Sequence, residues 1–183
     1  MATISDWNVV ASTEEGAYSQ ARRVLKRLGQ VGDTPYHNVL VLWVADVREA
    51  LEALRSVGET DPQVRAGVRH FVPVTEAFSF MSPEQFEAKA KQAMRAFLAQ
   101  LAGKSFYVRM HRRGFKGRLE RHEEERILGA TILEALAETG ATARVVFDDP
   151  DAVVIIETVG QRAGVAVWTR EELARYPFLH VKS

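Results

Sequence analysis

The 183-residue sequence contains no cysteine. That absence excludes disulfides, thiolate zinc sites and cysteine nucleophiles, and leaves the redox compartment open. Long hydrophobic runs are also missing. The most apolar stretches, Val39–Ala45 and Ala152–Ile156, are strand-sized and far too short to cross a bilayer. Met1–Val10 carries Asp6 and no basic segment, so it does not read as a secretory leader, and a cytoplasmic protein is the simplest expectation. The chain has no phosphate loop of the form Gly-x-x-x-x-Gly-Lys-[Ser/Thr], no Gly-x-Gly-x-x-Gly dinucleotide turn and no Gly-x-Ser-x-Gly elbow. No catalytic constellation is recognisable, so the expectation is a binding protein rather than an enzyme, with no catalytic residues and no cofactor.

Net charge is absent too, because 24 basic residues face 24 acidic ones. The balance conceals a cluster. Lys104, Arg109, Arg112, Arg113, Lys116, Arg118 and Arg121 stand against Glu120 alone, a local excess of +6 that leaves −6 on the rest of the chain. Cations gathered on a strand and a glycine-containing loop can follow a phosphate backbone and release its condensed counterions. Strand alternation puts Phe106, Val108 and Met110 on a buried face and projects Tyr107, Arg109 and His111 from the other, with Arg113 continuing that row. Arg112, Lys116, Arg118 and Arg121 populate the following loop, where Gly114 and Gly117 permit close backbone approach. Tyr107 and Phe115 offer stacking planes for an unpaired base. A solvated strand and loop is the plain alternative for such a charge run.

The length allows one large domain or two small ones. In the first 80 residues strands and helices alternate. Trp7–Ala11 reads as a strand, and Ser12 with Glu15 as a capping box. Ala17, Ala21, Val24, Leu25 and Leu28 then form a helical stripe ending at Gly29. Asn38–Val44 is a continuously apolar strand. Asp46 with Glu49 opens a second helix that buries Val47, Ala50, Leu51 and Leu54 and ends near Gly58. Arg69–Val74 closes a βαβαβ-like series, which suggests a small ferredoxin-like unit without an obvious central hairpin. A change of domain is expected between Val74 and Met81, giving domains 1–80 and 81–183.

Ser82-Pro83-Glu84-Gln85 then starts a helix with a Ser cap, Pro at the first helical position and Gln in the capping-box place. Phe86, Ala90, Ala93, Met94, Phe97 and Leu101 repeat at helical spacing up to Gly103. After the basic strand and loop comes a helix over about 123–139 with Ile127, Leu128, Ile132 and Leu136 inward, stopped by Gly140. Ala143–Phe147, Val153–Val159 and Ala163–Val167 read as strands. Thr169 with Glu172 caps a last helical turn, and Tyr176-Pro177-Phe178-Leu179 should dock on the core.

Other polar groups have simpler explanations. His122-Glu123-Glu124-Glu125 lacks the second histidine of a zinc-protease helix, and three acids in a first turn suit the helix dipole. Asp148, Asp149 and Asp151 are hard oxygen ligands that can gather Mg²⁺, but they are equally the residues of a Pro-containing turn. Glu157, inside an apolar strand, reads as buried and paired with an arginine such as Arg162. His37, His70 and His180 are scattered without a nucleophile.

In order and composition, about residues 81–183 resemble the THUMP domain, an RNA-binding module of tRNA-modifying enzymes. The carrying segments are Phe106-Tyr107-Val108-Arg109-Met110-His111-Arg112-Arg113-Gly114, Phe147 through Thr158, and Gly164-Val165-Ala166-Val167 before the helical turn at 170–175. With the first 80 residues the chain is most similar to stand-alone THUMP proteins, which include the adaptor for tRNA N4-acetylcytidine formation. The resemblance implies an α+β protein, an N-terminal ferredoxin-like unit followed by a THUMP-like α/β domain. It implies that the protein binds tRNA and presents it to a separate modification enzyme, an acetyltransferase in the adaptor case. Carried over by position, Arg109, His111, Arg112 and Arg113 match the basic strand, and Lys116, Arg118 and Arg121 the loop. The rival readings are a metal-dependent small-molecule enzyme built on the Asp148/Asp149/Asp151 turn and a protein-interaction scaffold. Oligomeric state is not readable from the sequence.

Overall fold

The computed structural model describes residues 3–179, so His180 lies outside the described residues. The chain is α+β and divides into two compact units. One runs through Pro73 and resumes at Arg175; the other is Val74–Ala174. The division therefore falls before residue 81, and the C-terminal segment returns to the first unit.

In the first unit the order is β1 (Val9–Thr13), α1 (Tyr18–Leu25), β2 (Gln30–Asp33), β3 (Val39–Trp43), α2 (Val47–Thr60), α3 (Pro62–Ala66) and β4 (Val68–Pro73). The four strands form an antiparallel sheet in the order β2-β3-β1-β4. The expected βαβαβ series thus contains a β2–β3 hairpin that periodicity does not reveal. β2 is polar and carries Gly32, where a Cβ would sit 2.9 Å from Ile4 Cγ1. Asp46 caps α2 by accepting the Glu49 N–H at 3.0 Å, and Ala50, Leu51 and Leu54 are its buried face.

The capping box expected at Ser12 does not form. Ser12 and Thr13 end β1, and α1 begins at Tyr18 with no side-chain cap. Ser12 Oγ bonds His70 Nδ1 at 2.8 Å, while Glu15 accepts from His37 and Asn38. The extended backbone of β1 competes successfully for these residues. At the other end, Tyr176, Phe178 and Leu179 are buried. Phe71 donates its N–H to the Phe178 carbonyl, and Glu52 accepts from both Arg175 and Tyr176.

The second unit holds β5 (Glu76–Ser79), α4 (Pro83–Met94), a 3₁₀ turn (Arg95–Phe97), α5 (Leu98–Leu101), β6 (Ser105–His111), α6 (Arg121–Glu138), β7 (Arg144–Val145), β8 (Ala152–Val159) and β9 (Arg162–Thr169). α7 (Arg170–Arg175) follows. Its sheet is mixed, in the order β5-β9-β8-β6-β7, with β6 parallel to both β7 and β8. Phe106, Val108 and Met110 of β6 and Val154 and Ile156 of β8 share one core with Phe86, Ala90 and Met94 of α4 and Leu128, Ile132 and Leu136 of α6. Ser82 caps α4 by accepting the Gln85 N–H, and Gln85 reaches back to the Met81 N–H. β9 approaches Val74 so closely that a Cβ on Gly164 would lie 2.4 Å from Val74 Cγ2.

Candidate functional site

The parallel register of β6 with β8 determines where the basic strand puts its side chains. Tyr107 lies beside Val153, Arg109 beside Ile155 and His111 beside Glu157, all on one face. The expected row is therefore real as geometry, but it is not an exposed cationic row. Tyr107 is buried, and Arg109, His111 and Arg113 are each less than one-fifth exposed.

Internal carboxylates meet these cations. His111 Nδ1 donates to Glu157 Oε1 at 2.6 Å, and Arg113 pairs with Glu157 Oε2. Glu157 is 1% exposed. Burial pushes its carboxyl up, yet Arg113 and His111 overcome that and hold it below the usual carboxylate range. The arginine facing Glu157 is thus Arg113, where the sequence suggested one such as Arg162. Arg113 is fixed along its backbone as well: its N–H donates to Thr158 Oγ1, and its carbonyl accepts from Gly160. Arg109 Nη1 lies 3.8 Å from Glu125 Oε1, and its guanidinium stands 5.3 Å from the Tyr107 ring centroid. Burial raises the Tyr107 phenol above its ordinary range, opposed by Arg109.

The loop is different. Gly114, Phe115 and Gly117 all have positive φ, so the chain turns sharply between β6 and α6. Lys116 and Arg118 are exposed, and among the described residues no carboxylate pairs with either. Arg112 Nη1 donates to the Gly114 carbonyl at 2.6 Å, and Arg121 Nη2 lies 3.1 Å from His122 Nε2. Phe115 is not the open stacking plane that the sequence suggested. Its ring packs 5.1 Å from Phe80, and Arg118 stands over it at 5.1 Å. Among the described residues of the second unit the exposed aromatic is Phe147, 74% accessible and stacked on Tyr107 at 5.7 Å with 29° between ring planes.

The acidic tip of α6 also departs from a simple dipole role. Glu125 accepts the Met110 N–H at 2.8 Å and so ties the helix to β6. Glu124 is 7% exposed, and its Oε2 has no hydrogen-bond partner. Burial, with Glu87 and Glu123 nearby, raises its carboxyl to about 7 against the pull of Lys91. In the Asp148–Asp151 turn Arg170 pairs with both Asp149 and Asp151. Asp149 holds Arg170 at 2.8 Å, and Asp151 Oδ2 accepts from the N–H and hydroxyl of Ser105. Those hydrogen bonds hold Asp151 below its ordinary value. Among the described residues no group of three acids or histidines converges as a metal site. The turn is held by its own hydrogen bonds.

No helix among the described residues is long and apolar enough to cross a membrane. No family model matches the sequence, and no curated protein matches it. Solved structures do match the fold. PH1313 from Pyrococcus horikoshii Ot3 aligns with TM-score 0.58 at 15% identity, over 87% of this chain and 53% of that one. TrmN from Thermus thermophilus aligns with TM-score 0.61 at 21% identity, over 87% and 44%. A 4-thiouridine synthetase, solved as an RNA complex with bound ATP, aligns with TM-score 0.55 at 17% identity, over 89% and 41%. The chain spans about half the length of these proteins or less. What it shares with them is the α+β fold.

Proposed function

We propose that this protein is an RNA-binding module of tRNA modification, with a THUMP-like second unit and a ferredoxin-like first unit. It holds tRNA through the loop after β6 and presents it to a separate modification enzyme, an acetyltransferase in the adaptor reading. The setting is cytoplasmic. The strand order β2-β3-β1-β4 with two crossover helices supports the ferredoxin-like reading. A fold in common with a synthetase solved as an RNA complex supports the RNA-binding one.

The observation that carries the proposal is the contrast between strand and loop. Arg109 and Arg113 pair with Glu125 and Glu157, whereas Lys116 and Arg118 are exposed and have no carboxylate partner among the described residues. Phosphate contact thus belongs to the loop, with Lys116 and Arg118 central and Arg112 and Arg121 beside them. The strand residues Tyr107, Arg109, His111 and Arg113 position it. Filter binding of folded tRNA across a salt series tests this. Binding should weaken steeply with salt, and Lys116→Glu/Arg118→Glu should reduce it at least tenfold. Salt-insensitive binding, or full affinity in the double variant, overturns the proposal. Copurification that survives nuclease treatment would favour an acidic protein partner instead.

A further inference from the structure

We propose that the recess between β6 and α6 is a pocket for one unpaired nucleobase bearing an exocyclic amino group. This inference rests on the RNA-binding reading above. The recess has a volume of about 320 Å³ and is lined by Val108 and Arg109 of β6, Glu125 and Gly129 of α6, and Val145 and Phe147. That is the lower end of the range for small-ligand sites.

Two local features open it. β7 pairs with β6 only at Arg144 and Val145, so no further strand covers that flank of β6. Gly129 withholds a side chain from the facing helix; a Cβ there would meet Val108 and Val145 only at 3.9 and 4.0 Å. Ala130 completes the apolar part of the lining, and its polar groups are Arg109, His122, Glu125 and Arg126.

Phe147 supplies the stacking surface. A large aromatic exposed at 74% is unusual in a well-packed unit, and this ring is held in place by Tyr107 beneath it. Aromatic rings stack on any base. Discrimination falls to Glu125, whose side chain is 12% exposed. Its Oε1 accepts the Met110 N–H, and Oε2 lies 3.3 Å from His122 Nδ1. A carboxylate has about four lone-pair positions, so both oxygens retain acceptor capacity. An amino group such as cytosine N4 donates to it; the O4 of uracil, itself an acceptor, is repelled. Arg109 beside Glu125 keeps the carboxylate paired while the pocket is empty.

Titration of the full chain with 5′-CMP and 5′-UMP, followed by backbone-amide NMR, tests the pocket. CMP should shift Val108, Gly129 and Phe147 and bind about tenfold tighter than UMP. Glu125→Gln keeps an acceptor for the Met110 N–H, so the fold is retained, and should abolish the CMP preference. Phe147→Ala, at an exposed position, should weaken both nucleotides about tenfold. No shift at these amides, or a CMP preference that survives Glu125→Gln, overturns the pocket. Folded tRNA assayed in parallel separates the two proposals. Salt-sensitive tRNA binding without a CMP response overturns only the pocket. A CMP response without tRNA binding overturns the tRNA reading and leaves the pocket standing.

Discussion

Two buried glutamates in the second unit respond to pH in opposite senses. Glu157 is held below its ordinary value of 4.5 by Arg113 and His111, after they overcome the burial that pushes it up. Its contribution is present above that value and is lost as pH falls below it. Glu124 is raised from 4.5 to about 7, mainly by burial. The folded chain keeps a proton there that the unfolded chain releases, so stability is full below 4.5 and declines as pH rises to about 7. A shift of that size is worth on the order of 3 kcal/mol. Urea unfolding of wild type should therefore lose stability from about pH 4.5 to about pH 7, and Glu124→Gln should flatten that decline and gain on the order of 2 kcal/mol at the alkaline end. An unchanged decline in the variant contradicts the assignment. From the sequence Glu124 reads as a dipole residue, because a first-turn acid usually faces water. Only the packing of α6 in the core shows that this one does not.

At the scale of elements, four segments carry an N-cap residue followed by an acid or amide, and three of them cap helices. Asp46 and Ser82 accept the expected N–H groups. Thr169 and Glu172 bond each other reciprocally. Ser12 fails because β1 claims it for a central strand, where sheet pairing outweighs a local cap. Helices and central strands were legible because their apolar periodicity is long. β2 and β5 were not, being four-residue edge strands with little apolar character. Substitutions should separate true caps from the false one. Ser82→Ala should destabilise the protein by about 1 kcal/mol and increase amide exchange in the first turn of α4. Ser12→Ala should leave exchange in α1 unchanged, since its hydroxyl serves His70. Accelerated exchange at Tyr18–Ala21 in the latter would contradict this.

For the chain as a whole, a net charge of zero describes no part of the surface well. The +6 excess around residues 104–121 was legible by counting. Its partial neutralisation was not, because Glu157 stands 44 residues from Arg113 and reaches it only through the β6–β8 register. The effective excess is therefore smaller than the count and is concentrated in the loop. That separates two quantities that charge counting merges. Cations engaged with phosphate set the salt dependence of RNA binding; cations paired with buried carboxylates set stability. With Arg112, Lys116, Arg118 and Arg121 engaged, the log–log salt slope should be about −3 to −4. Lys116→Gln/Arg118→Gln should reduce its magnitude by about 2 and leave unfolding unchanged. Arg113→Gln should do the reverse, leaving Glu157 buried without its arginine at a cost of about 3 kcal/mol in stability while the slope of the still-folded fraction stays near the wild-type value. Equal slopes for wild type and the loop variant would mean that the loop does not touch the phosphates. A reduced slope for Arg113→Gln would mean that the ion pair opens on binding and releases its arginine to the RNA.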